Sequence, residues 1–309
     1  MKRDFSRTRA YRPLMGMLIT LACLGFTGMV TLSMAAQSRL DTATIEQLTG
    51  AKGDLSEKEG VFKVSVPRSD LQMTAAGVKM TPPLGLTSWA AFQKAGEQTM
   101  VMGDMVLLED QVNPVMSAAL ESGLAVTALH NHFFWDAPKV MFMHIGGMGE
   151  EAKLAGAVGK VFGTIKETSG GHGVVPHAEL DPAQTSLDPQ KIEAVLGVQG
   201  QLANGVYKVT IGRTTKMDGH EVGNVMGVNT WAAFVGSDDK AVVDGDFAMF
   251  EDEVQAVLKT LRGAGINIVA IHNHMLMESP RVVFLHYWGV GATRQLAQGL
   301  KAALDTQRR

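Results

Sequence analysis

Cysteine is nearly missing from this chain: Cys23 is the only one in 309 residues. One thiol forms no disulfide within the chain and builds no thiolate-rich metal cluster. Any transition-metal site must therefore draw on histidine, carboxylate or methionine. The body of the chain also lacks a strongly basic stretch, and its formal net charge is −3. That argues against a nucleic-acid partner, which selects a basic face. There is no G-x-S-x-G nucleophile elbow, no Walker loop and no nucleotide-binding glycine fingerprint.

What is present fits a packed globular protein, with 46% hydrophobic and 19% charged residues. The length allows one large domain or two ordinary ones. Residues 1–36 stand apart. "MKRDFSRTRAYRP" carries five Lys or Arg, and the uncharged run "LMGMLITLACLGFTGMVTLSM" follows. A basic segment, an apolar segment and small residues at Ser33, Ala35 and Ala36 predict a signal peptide cut near Ala36. The apolar run is also long enough for an uncleaved membrane anchor. Either outcome places the body outside the cytoplasm, in the periplasm or the extracellular space. Cys23 falls inside this segment, where Thr20 and Leu21 fit a lipid-attachment signal poorly.

The chain repeats itself. "ALHNHFFWDAPKVMFMH" begins at Ala128, and "AIHNHMLMESPRVVFLH" begins 142 positions later at Ala270. The same shift relates "WAAF" at Trp89 and Trp231, Gly103-Asp104 and Gly245-Asp246, and Pro138 and Pro280. "GVFKV" at Gly60 matches "GVYKV" at Gly205 with a shift of 145. The copies span residues 41–166 and 190–309. Between them, residues 167–189 are rich in Gly, Pro, Ser and Asp and read as a linker. His172 and His177 lie there without counterparts and read as exposed linker histidines.

Each copy reads as an α+β unit of order βββαββα, two of which suggest a pseudo-twofold pair. "GVYKVTIGR", "VMGVNTWAAFVG" and "AVVDGDFAMF" alternate as strands. "EDEVQAVLKTLRGAG" has acidic residues at its start, helical spacing at Val254, Val257, Leu258 and Leu261, and closing glycines. Two more strands and a helix complete the copy.

The histidines carry the chemistry. On a regular strand His272, His274 and Glu278 share one face, as do His130, His132 and Asp136. The returning strand brings His286 or His144 beside them. Three imidazoles and a carboxylate on one face suit a divalent transition metal such as zinc, copper, iron or manganese. The expectation is one metal site in each copy, or one shared near the pseudo-twofold axis, with His130, His132, His144, His272, His274 and His286 as ligands. Asp136 and Glu278 would orient a ligand or act as a base on metal-bound water. A network of strand histidines bonded to carboxylates and backbone is the alternative.

Asn131 and Asn273 point the other way and would bond backbone. Lys139 and Arg281 would pair with Asp136 and Glu278, or bind an anionic ligand. Asp104 and Asp246 read as turn or helix-capping residues. Of nineteen methionines, Met141, Met143, Met275 and Met277 fall at core-facing strand positions, so packing explains them better than copper.

The spacing of two histidines and an acid also resembles the metal motif of cupins, but those are all-β barrels and this chain has strong helices. The letters "HNH" do not make a nuclease, whose motif is spread over a ββα unit. Over most of its length the chain resembles the LppY/LpqO family of exported bacterial proteins. His130, Asn131, His132 and His144, with His272, Asn273, His274 and His286, carry the likeness, together with "WAAF" and "GD". The resemblance implies export and a shared fold and supplies no reaction. The poor lipid-attachment signal keeps a lipid anchor from being carried over. Three functions remain in view: a metal or small-ligand binding protein of the envelope, a metal-dependent hydrolase, and an interaction protein with structural histidines.

Overall fold

The computed structural model describes residues 39–170 and 175–308. The expected signal or anchor segment, residues 1–36, and His172 lie outside the described residues. The first copy runs α1 (Thr42–Thr49), β1 (Gly53–Ser56), β2 (Val61–Pro67), β3 (Thr74–Ala75), β4 (Val78–Lys79), β5 (Thr87–Ala95) and β6 (Gln98–Leu108). It continues with α2 (Glu109–Glu121), β7 (Ala125–His130), β8 (Asp136–Ala137), β9 (Val140–Gly149) and α3 (Glu151–Glu167). The second copy runs α4 (Pro189–Leu196), β10 (Gln201–Ala203), β11 (Val206–Gly212), β12 (Thr215–Met217), β13 (His220–Val222), β14 (Asn229–Gly236) and β15 (Ala241–Phe250). It ends with α5 (Val254–Gly263), β16 (Asn267–His272), β17 (Val282–Gly291) and α6 (Thr293–Leu304).

The class is α+β, but each copy departs from βββαββα. A helix and a further strand come first, and short strands interrupt the series. The leading helices have local causes. The Asp41 carboxylate accepts the Thr44 N–H at 3.0 Å, and Gly50 closes α1 with left-handed backbone. Asp188 caps α4 the same way on Gln190, with Pro189 at the first helical position and Gly197 at the end.

Twelve strands form one sheet, in the order β1-β2-β5-β6-β9-β7-β16-β17-β15-β14-β11-β10. The order reads the same from either edge once the copies are exchanged. At the centre β7 meets β16 antiparallel, with Leu129 opposite Ile271. These residues are each other's counterparts, so a pseudo-twofold axis passes through this pair. The strands alternate between two environments. Met143, Ile145, Leu129 and Ile271 face the helices and join one core that spans both copies. Phe142 and Phe284 face the opposite side, under smaller apolar clusters with Leu86 and Val106, or Val228 and Ala248. No helix among the described residues is long and apolar enough to cross a membrane.

Candidate metal centre

Regular alternation does not place the histidines. Val126 and Leu129 both face the helix core, three residues apart. On a straight strand residues two apart share a face, so Val126 would carry His130 into the core with it. A β-bulge between Val126 and Ala128 resets the alternation, and the same irregularity separates Ile268 from Ala270. Beyond the bulges, His130 pairs across with Phe142 and His272 with Phe284, on the face away from the helices.

Cross-strand pairing then gathers motifs that lie far apart in the chain. Trp89 pairs with Asp104, Asp104 with His144, and the His144 ring stacks on His130 with centroids 5.1 Å apart. In the second copy Trp231 pairs with Asp246, Asp246 with His286, and His286 stacks on His272 at 4.7 Å. Lys63 and Lys208 lie over the Trp89 and Trp231 rings, with Nζ to centroid distances of 4.2 and 4.1 Å. The repeated "WAAF", "GD" and histidine motifs therefore form one row on each side of the axis. Gly245 fits this row because a Cβ there would run into the Tyr287 ring and the Trp231 carbonyl.

His132 and His274 reach the row differently than alternation predicts. Strand β16 ends at His272, and His274 sits in the loop beyond it. Its ring stacks on Phe284 at 3.5 Å, and His132 stacks on Phe142 at 3.4 Å. From there His274 Nε2 comes within 3.2 Å of His272 Nε2 and 3.3 Å of Asp246 Oδ2. Asp246, His272 and His274 are a group that can hold a metal, with one ligand atom from each mutually within 4.8 Å. His286 flanks them, and its Nδ1 lies 3.3 Å from the Gly245 carbonyl. If Nδ1 donates there, Nε2 keeps its lone pair.

Asp246 is the acid that joins the group, so the capping role expected for it and for Asp104 gives way to a mid-strand position. Strand pairing with the third histidine could have revealed both from their place in the repeat. Asp136 and Glu278, expected with the histidines, instead serve the turn. Asp136 Oδ2 accepts the Val140 N–H at 2.8 Å, and Glu278 Oε1 accepts the Val282 N–H at 3.0 Å. Trp135 and Met277 just before them hold left-handed backbone, at φ 58° and 70°, which ends the alternation. Met277 and Trp135 are consequently more than three-quarters exposed, not core. Met143 is buried and Met141 packs against the helix core, as expected. Among the described residues no ion pair joins Lys139 to Asp136 or Arg281 to Glu278. Asn131 Nδ2 donates to the Phe133 carbonyl at 3.3 Å.

Electrostatics suit a cation. Asp246 is nearly buried and its Oδ1 has no hydrogen-bond partner; the same is true of Asp104 Oδ1. Burial pushes the Asp246 carboxyl up, against the pull of His286 and His274. Burial, with the neighbouring His286 and His274, pushes His272 down to about 4. Burial also lowers His130, helped by His144 and His132, and lowers His132 against the pull of Asp104. His130, His132 and His272 are thus neutral at pH 7, the form that donates a lone pair.

A groove of about 900 Å³ lies between the copies, lined by Asn113 and Asn131 of the first and Arg262, Asn267 and Trp288 of the second; none of the clustered histidines lines it.

The family model described as a domain of unknown function (DUF1259) matches residues 43–163 and again 190–306, more than half of the chain. No curated protein matches. A trimeric bacterial microcompartment shell protein, PduB, aligns at 12% identity over 82% of this chain and 89% of its own, with a TM-score of 0.19, an overlap too weak to carry an argument.

Proposed function

This chain belongs to the family of that domain of unknown function, present here twice, and from that premise we propose an exported cell-envelope protein of the LppY/LpqO type that binds a divalent transition metal through Asp246, His272 and His274. The observation that carries the metal is a distance match. Ligand atoms about 2.0–2.1 Å from a tetrahedral ion lie roughly 3.3 Å from one another. Two of the separations here, between His274 and each of its partners, are 3.2 and 3.3 Å. Zinc, copper, iron and manganese all accept such nitrogen and oxygen donors. Export rests on the basic and apolar pattern of residues 1–36, which also serves as a membrane anchor if it stays uncleaved.

The second reading is a metal-dependent hydrolase. Three protein ligands leave a coordination position for water, whose pKa a divalent ion lowers. Glu278 turns Oε1 to the Val282 N–H and leaves Oε2 buried without a partner; in this reading that oxygen would be the one to take a proton.

The test is elemental analysis of the full chain, purified without a histidine tag. Near-stoichiometric metal is expected. It should be lost in a His272→Ala/His274→Ala variant and in Asp246→Ala, and kept in Glu278→Gln. No metal in the wild type after loading with zinc, copper, iron or manganese would sink the reading and leave the histidines as a structural network.

A further inference from the structure

We propose that Asn113 and Gln255 are positioning residues that act across the copies, each holding the histidine strand of the other. The inference rests on the metal reading above and adds what sets the ligand strands. Both histidine strands depend on a β-bulge just upstream, which turns the imidazole away from the helix core. Thr127 and Val269 are the extra residues of the bulges, and Val126 and Ile268 beside them keep register with β9 and β17 on one side. Across the axis the two strands pair at Leu129–Ile271, so the neighbouring strand supplies Val126 and Ile268 no partner on the other side.

Side-chain amides supply them instead. The Ile268 N–H donates to Asn113 Oδ1 at 2.8 Å, and Asn113 Nδ2 donates to the Ile268 carbonyl at 3.2 Å. The Val126 N–H donates to Gln255 Oε1 at 2.9 Å, and Gln255 Nε2 donates to the Val126 carbonyl at 2.8 Å. Asn113 and Gln255 are counterparts in the repeat, as are Val126 and Ile268. Each amide is on a helix of one copy and grips the bulge of the other. A primary amide suits this task, because one planar group offers a donor and an acceptor together. No hydrophobic residue of similar size can replace it without stranding both backbone groups.

The consequence is directional. Asn113 belongs to the first copy but governs β16, which carries His272 and leads into His274. Asn113→Ala should weaken cobalt(II) binding at the second copy's site roughly ten- to a hundredfold, the usual range for residues that orient ligands. It should also alter the cobalt absorption bands. Gln255→Ala should leave that affinity within about twofold. Asn113→Gln should restore binding, since glutamine performs the same task from position 255.

Hydrogen–deuterium exchange reads the proposal without any metal. Asn113→Ala should speed exchange at residues 267–272, and Gln255→Ala at residues 125–130. If the wild type binds no cobalt, the metal reading falls while the exchange pattern still decides this one. Two results would overturn it: each substitution loosening its own copy's strand, or neither changing exchange beyond a uniform loss of stability.

Discussion

The two copies share a scaffold and differ in how far they close around it. Both stack a histidine on a phenylalanine, 3.4 Å apart in the first and 3.5 Å in the second. Both line up tryptophan, aspartate and histidine across three strands. Among the described residues only the second gathers an acid and two imidazoles into a group that can hold a metal. Its surroundings differ as well. Asp244 and Trp288 stand where the first copy has Met102 and Gly146. The Asp244 carboxyl is pushed up by burial, against the pull of His286 and Lys208. The contrast teaches that duplication preserved the row while the residues beside it diverged, so one fold carries a contracted site and a more open one.

A second contrast lies in two counterpart arginines. Arg213 of the second copy forks onto Glu253, whose Oε1 is 3.0 Å from Nη2, and Glu253 also accepts the Phe250 and Arg308 N–H groups. Their first-copy counterparts are Arg68 and Gln111, 3.1 Å apart, and there the charge comes from Asp70 at the surface. Arg213→Met should therefore have the largest effect on stability, about 3–5 kcal/mol, because it leaves a buried carboxylate unpaired. Arg68→Met should cost less, since it leaves a neutral amide and a carboxylate that water reaches. Chemical denaturation of both variants checks the order, and equal losses would erase the contrast.

The same pair predicts a pH dependence. Burial raises Glu253, but Arg213 and the backbone N–H groups outweigh it and hold the carboxyl below its ordinary value of 4.5. A depressed carboxyl contributes stability that is full above the ordinary pKa and is lost as pH falls through the folded one. Acid should thus weaken the second copy's network below about pH 4.5, and Glu253→Gln should flatten the slope of stability against pH there. Asp70 is also lowered, chiefly by its hydrogen bond to Arg68, but it is 43% exposed and its share is screened. A slope unchanged by Glu253→Gln would place the acid sensitivity elsewhere.

The smallest effects are expected where the copies agree. Trp135 and Met277 hold left-handed backbone while exposing their side chains. Glycine at either position relieves about 1–2 kcal/mol of conformational cost and gives back roughly 0.5–1 kcal/mol in unfolded-state entropy. Trp135→Gly and Met277→Gly should each give a net gain in stability of roughly 0–1.5 kcal/mol. Thermal melts that differ between the two would show that the loops are not the same device.

Much of this was legible in the residues. The 142-residue shift marked the duplication, and helical spacing at Val254, Val257, Leu258 and Leu261 marked the helix. The sequence by itself determined the donor types too, since a chain with one cysteine must look to imidazole and carboxylate. Which carboxylate joins the histidines was decided only by the tertiary structure. Alternation is a local rule, and it pointed to Glu278 and Asp136. It failed at the bulges beside Val126 and Ile268 and again at the left-handed turns of Trp135 and Met277, where the chain leaves the strand. Asp246 and Asp104 lie 26 residues before the first histidine of each copy, a distance closed only by strand pairing through β17 and β9. Cross-strand neighbours depend on sheet order and register, and those are set by the packing of helices from both copies against a single sheet.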